Sequence, residues 1–230
     1  MADSALILII LTPLAGALLV MLAGRWPNLR EAISIGTGLL LVAQIISIAP
    51  SVLDGSALRQ VIATPVPQLP LAFEFEPLGL LFGLIASSLW VITTIYAIGY
   101  MRGHNESNQT RFFVFFAVAI SATMGVALAA NLFTLFVFYE LLTLSTYPLV
   151  THAGTVEARQ GGRVYIGILI GTSMAFLLPA IIATWYLTGS TDFQVGGILS
   201  GKASGPVVGI LFALFVFGIG KAALMPFHRW

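Results

Sequence analysis

Apolar residues run along this chain in long uninterrupted stretches, and polar residues fall mostly in the gaps between them. The stretches cover residues 5–24, 32–49, 78–101, 112–130, 132–150, 164–187 and 207–225. A bilayer's hydrocarbon core is about 30 Å thick and a helix rises 1.5 Å per residue, so about twenty apolar residues make one crossing. The pattern therefore predicts an all-α, polytopic membrane helix bundle of seven transmembrane helices, with residues 1–230 forming a single transmembrane domain. The helix boundaries follow from breakers. Residues 112–150 are 39 residues whose only charge is Glu140. As one helix they would run about 58 Å, twice what a bilayer accepts, so they must fold into two, with Asn131 as the turn former. Pro50 closes the second helix. Pro226 cannot donate to a carbonyl one turn back and its ring crowds the backbone near Ala222, so helix 7 is expected to break at Pro226.

Residues 50–77 are the one long polar connection. Within them residues 71–76 alternate, with Phe73 and Phe75 on one face and Glu74 and Glu76 on the other, which predicts a short strand lying over the membrane surface. The first apolar stretch is preceded by Asp3 and by no Lys or Arg, so it lacks the basic segment of a cleaved signal and reads as a retained span.

Composition agrees with a membrane protein: 58% of residues are hydrophobic and 8% charged, against about 25% charged in an average soluble domain. A net charge of +1 without basic runs points away from nucleic acid. The absence of cysteine removes disulfides, thiolate metal sites and iron–sulfur ligation. Histidines 104, 152 and 228 are too scattered to suggest a metal cluster, so no cofactor or metal is expected. The basic residues distribute unevenly across alternate connections: Arg25, Arg30, Arg102, Arg111, Arg159, Arg163 and Arg229 on one side, Arg59 and Lys202 on the other. Positive residues favour the cytoplasmic face, which places the N-terminus and residues 50–77 outside. Gly79 with Gly83, Gly167 with Gly171 and Gly205 with Gly209 have the spacing that lets membrane helices approach closely. Trp90, Trp185 and Trp230 read as packing or interface anchors, and His104 and His228 as interfacial.

Glu140 carries the strongest chemical signal. It stands about 13 Å into the fifth helix, near the bilayer midplane, where a charged side chain is unfavourable by roughly 2.5–3.5 kcal/mol. On the same helical face lie Thr143, Leu144, Tyr147 and Thr151, and His152 stands at the end of that stripe. The stripe reads as a proton site with a possible proton path through Thr143, Tyr147 and His152. A carboxylate that only locks helices together is the alternative. Lys221 is the partner to seek, since an ammonium beside a helix break can reach free carbonyls. The same position would also let a lysine snorkel to the interface.

Three segments carry a family resemblance: FVFYELLTLSTYPLV around Glu140, HAGTVEARQGGRVYI after it, and GIGKAALMPFHRW at the end. Together they resemble the antiporter-like membrane subunits shared by Mrp-type Na+/H+ antiporters and respiratory complex I, and within that family most of all the D-type component of Mrp. The resemblance implies that Glu140 and Lys221 form an ion pair whose opening and closing moves protons, in a bacterial inner (plasma) membrane, beside other membrane subunits of one complex. It implies transport of protons and leaves open whether Na+ is the exchanged cation. Two other roles stay open: an antiporter-like proton-pumping subunit of NADH:quinone oxidoreductase without a redox site of its own, and a non-conducting structural subunit. Members of the family continue for several helices beyond the break, so the chain reads as the N-terminal half of a longer protein, apparently truncated.

Overall fold

The computed structural model describes residues 5–55 and 58–229. Trp230, read above as an anchor, lies outside the described residues. Among the described residues, six helices are long and apolar enough to cross a membrane: α1 (Ala5–Leu22), α2 (Pro27–Leu53), α3 (Pro77–Gly103), α4 (Gln109–Ala127), α5 (Leu132–Val150) and the continuous helix Val156–Thr188. The last comprises α6 (Val156–Thr172), a π-turn (Ser173–Leu177) and α7 (Leu178–Thr188). A seventh, shorter apolar helix, α8, covers Gly205–Gly218. The all-α membrane bundle expected from the apolar stretches is thus present, and α5 has the bounds that its sequence predicts.

Several boundaries differ, including both ends of α2 and of α4, which runs over Gln109–Ala127 rather than 112–130. Pro50 does not end α2, which starts with Pro27 at its first turn and runs on to Leu53; a proline in the last turns sacrifices little of the hydrogen-bond ladder. Residues 156–163, expected as loop because of Glu157, Arg159 and Arg163, are helical. The Thr155 side chain accepts from Ala158 N at 3.1 Å and caps that start. The α-helical part of helix 7 stops at Gly218; the break runs from Ile219, through a 3₁₀ turn at Gly220–Ala222, to a segment containing Pro226. Connection 50–77 holds two strands, β1 (Leu58–Val66) and β2 (Leu69–Phe75), paired in a two-stranded sheet through Pro67 and Gln68. Phe73 and Phe75 are buried, as the alternation predicts.

The chain divides into two compact units, residues 1–60 with 73–128, and residues 61–72 with 129–230. In the first unit α1 packs on α2 and α4, and α3 packs on α2 and α4. Polar side chains stitch these apolar helices: Gln44 Nε2 donates to Thr12 Oγ1 at 2.9 Å and Ser121 Oγ to Ile10 O at 2.7 Å. A Cβ at Gly79 would meet Ala127 O at 3.0 Å, and one at Gly83 would meet Ile45 Cδ1 at 3.3 Å, so this glycine pair does let backbones approach. Gly167, Gly171, Gly205 and Gly209 face open space instead, and the close approach expected there is not found.

One end of the first unit carries a buried charge network. Arg30 and Glu31 are 4% and 6% exposed. Arg102 grips the Glu31 carboxylate with Nε (3.0 Å) and Nη2 (2.5 Å); Arg30 Nη2 donates to Glu31 Oε1 at 3.1 Å and to Gln109 Oε1 at 2.8 Å. Arg30 also donates to Thr110 Oγ1 at 3.1 Å and lies over the Phe113 ring. Trp90 is buried in the same unit as a packing residue.

In the second unit α5 packs on α6 and α7, while α8 packs on the π-turn and α7. Asn131 fixes where α5 begins. Its Oδ1 accepts from Thr134 N at 2.7 Å, its Nδ2 donates to Pro70 O at 2.9 Å, and its backbone bridges Asp192. Leu132 N donates to Thr191 O at 2.9 Å and Ala130 N to Ala72 O at 3.0 Å, so three separate segments are sewn together at the start of the helix.

Candidate functional site

The site lies in the second unit, where the break after α8 meets α5. The break is placed by close backbone approach. A Cβ at Gly218 would meet Leu177 N at 2.6 Å and its Cα at 2.7 Å, and a Cβ at Gly220 would collide with the Thr172 hydroxyl. Only glycine lets the chain pass here. Beyond the break Phe227 packs with Phe176 and Phe217, at ring-centroid distances of 5.6 and 6.3 Å, and holds the returning segment.

Lys221 sits in the 3₁₀ turn and its side chain turns onto α5 rather than snorkelling along the helix. Its Nζ donates to Tyr139 O at 3.0 Å and to the Thr143 hydroxyl, and stands 3.5 Å from the centre of the Tyr139 ring. Its backbone N–H donates to Tyr139 Oη at 3.2 Å. These partners flank Glu140 in sequence. Glu140 itself is half-buried and makes no hydrogen bond among the described residues, with Oε1 fully enclosed. The Glu140–Lys221 ion pair implied by the resemblance is not formed within 4.0 Å, although the carboxylate's field reaches the ammonium. An enclosed carboxyl oxygen without a partner is unfavourable, so the site holds an ammonium resting on neutral acceptors beside a carboxyl group whose Oε1 makes no hydrogen bond among the described residues.

Of the polar stripe on α5, Thr143 alone touches Lys221. Tyr147 packs its ring against α6, since a Cβ at Gly162 would lie 3.1 Å from its Cε2. Thr151 Oγ1 donates back to Tyr147 O at 3.0 Å. His152 stands one residue past the C-cap of α5, half-buried, and no described contact links it to Lys221. Pro226 lies in the break, exposed. His104 and His228 are exposed, as interfacial residues are expected to be, with His104 stacked 4.3 Å from the Tyr100 ring. Tyr139 is not among the residues that the sequence singles out. The available signal is its i, i+4 spacing to Thr143, which places both on one face with the lysine's docking point between them. Thr146 escapes the sequence pattern as well; its hydroxyl bonds Tyr165 Oη at 2.6 Å and ties α5 to α6. The described residues hold no group of three or more His, Cys, Asp or Glu fit for a metal ion.

Residues 129–230 match the family described as NADH:quinone oxidoreductase/Mrp antiporter, TM. The chain is 26% identical over 229 residues to the N subunit of NADH-quinone oxidoreductase from Desulforudis audaxviator, covering 97% of this chain and 45% of that protein. It is 30% identical over 239 residues to the A/B subunit of a probable K(+)/H(+) antiporter of Rhizobium meliloti, covering 100% of this chain and 23% of that one. The chain thus spans under half the length of the relatives it matches. Among solved structures, a chain of the Mrp complex from Dietzia sp. DQ12-45-1b superposes with a TM-score of 0.79 at 22% identity, covering 100% of this chain and 42% of that chain, and shares the fold. The chain is a multi-pass membrane protein whose residues 129–230 carry the transmembrane segment of that family, and along its length it is similar to membrane subunits of antiporters and of NADH-quinone oxidoreductase.

Proposed function

We propose that this chain is a proton-translocating membrane subunit of a multisubunit monovalent cation (Na+)/H+ antiporter of the Mrp type, in the place of its D-type component. Glu140 and Lys221 are the proton-transfer pair, and Thr143, Tyr147 and His152 line the path that serves them. The observation that carries this reading is the seating of the Lys221 ammonium on Tyr139 and Thr143, the two residues that flank a carboxylate with an enclosed, unbonded oxygen. An arrangement that only locked helices would be expected to satisfy both charges.

The mechanism is electrostatic. While Glu140 is protonated, the ammonium rests on neutral acceptors. When Glu140 loses its proton, the bare carboxylate attracts the ammonium and changes the affinity of each group for a proton. Two unit charges 4–8 Å apart at an effective dielectric near 20 interact by roughly 2–4 kcal/mol. A membrane potential supplies about 2.3 kcal/mol per charge per 100 mV, so such a pair can couple to the driving force. The same residues would serve a proton-pumping subunit of NADH:quinone oxidoreductase, a reading favoured by the 26% identity to that enzyme's N subunit along 97% of the chain. In either case the protein works in a bacterial plasma membrane among other membrane subunits, with its N-terminus outside, as the seven-to-two distribution of basic residues indicates.

The deciding experiment measures dissipation of the respiratory pH gradient on adding NaCl, in everted vesicles carrying the protein in its native complex. Wild type should collapse the gradient; Glu140→Ala and Lys221→Ala should not, with the complex still assembled. No collapse in wild type rejects the Mrp reading, and NADH-driven proton pumping is then the assay. Flux retained in both assembled variants leaves only the structural role.

A further inference from the structure

We infer that Tyr139 is a positioning residue that latches Lys221 at both ends, holding its ammonium on neutral acceptors of α5 and apart from Glu140. The inference rests on the proton-pair reading for its function, but not for its geometry. Within the break, Ile219 N–H donates to Phe215 O, Ala222 N–H to Ile219 O and Ala223 N–H to Gly220 O. The Lys221 N–H goes instead to a side chain, Tyr139 Oη. The same tyrosine presents its carbonyl and its ring face to Nζ, so one residue fixes both where the lysine's backbone sits and where its charge rests. Thr143 completes the seat. Its hydroxyl proton is committed to Tyr139 O at 3.1 Å, which leaves the oxygen's lone pairs for the ammonium.

Each element of this seat prefers a cation. A ring face and two oxygen acceptors attract –NH3+ and have far less to offer a neutral amine. The latch therefore grips the lysine while it carries a proton and loosens when the proton leaves. The groups that face it are few. Glu140 and Tyr139 come from α5, and Tyr165 of α6 acts on Tyr139. The α6 residues against the turn at Gly220, Thr172 and Leu169, carry no charge.

Pulse-labelling with isotope-coded acetic anhydride, which acylates only the neutral amine, tests this on the assembled complex in detergent, with mass spectrometry of the labelled sites. The chain contains two lysines, and exposed Lys202 is the internal reference. At fixed pH, the Lys221 to Lys202 labelling ratio should rise about tenfold in Tyr139→Leu and about threefold in Thr143→Val, the loss of a cation–π contact and of one acceptor respectively. Tyr139→Phe, which keeps ring and carbonyl, should fall between wild type and Tyr139→Leu, and Thr143→Ser should match wild type. An unchanged ratio in assembled Tyr139→Leu overturns the latch. If that variant does not assemble, equal ratios in Thr143→Val and Thr143→Ser overturn it instead. Labelling needs no transport, so a wild type without Na+-dependent flux would reject the antiporter reading and leave this result standing.

Discussion

Both units of this chain bury charge, and they treat it in opposite ways. In the first, Glu31 receives hydrogen bonds from two arginines, and Arg30 reaches Gln109, Thr110 and the Phe113 ring as well. The carboxylate accepts three hydrogen bonds, two on Oε1 and one on Oε2, and Arg30 Nε is left buried without a partner among the described residues. In the second, Glu140 has no hydrogen bond among the described residues and Lys221 is held by neutral oxygens and a ring. Burial alone therefore does not separate a clasp from a candidate site. What separates a clasp from a site is whether alternative partners remain within reach of a charge whose present contacts are replaceable.

The contrast can be broken by exchanging the expected phenotypes. The largest effect should come from Lys221→Ala or Glu140→Ala, with cation-dependent proton flux falling at least about 100-fold while the assembled complex keeps its thermal stability. Wild-type flux in either variant would place both units in the same structural class. Next comes Glu31→Gln, which removes the carboxylate charge beside buried Arg30 while its bonds to Gln109 and Thr110 remain; weakening such charge-assisted hydrogen bonds costs about 1.5–3 kcal/mol. A lower unfolding temperature and a smaller assembled yield are expected, with flux per assembled complex unchanged. Reduced flux per complex without loss of stability would sink the distinction. Gly218→Ala drives a methyl into the Leu177 backbone and should lower stability by about 1–3 kcal/mol, seen as an earlier thermal transition, whereas Gly209→Ala should leave it unchanged. Asn131→Ala removes a helix cap of about 1 kcal/mol and with it the bond to Pro70 O, worth about 1 kcal/mol more, a loss measurable by the same melting curve.

How much of this the sequence discloses depends on whether a feature is written into one contiguous run. α5 is legible to its ends, because a turn former precedes it and its single charge stands against eighteen uncharged residues. The burial of Phe73 and Phe75 is legible through a period of two. β1 is not, since residues 58–66 lack alternation and stay largely exposed after folding. The first two turns of α6 look like loop because they are charged, although a capped helix end can carry its charges outward into water. The site divides along the same line. Glu140, Lys221 and Thr143 stand out from composition and spacing, but Tyr139 contributes through its carbonyl, its ring and its hydroxyl to a residue 82 positions away. Nothing in a one-dimensional pattern reports which face of a ring a distant lysine will find.

The stitching at Asn131 sets an order of assembly. The bonds that seat the start of α5 join it to Pro70 and Ala72, synthesised some sixty residues earlier, and to Thr191 and Asp192, synthesised sixty residues later. On a ribosome the first set becomes available while α5 is emerging. The second cannot exist until α6 and α7 have been threaded. The helix that carries Glu140 is thus half-moored during insertion and fully moored only afterwards, and the lysine that completes its site is made later still.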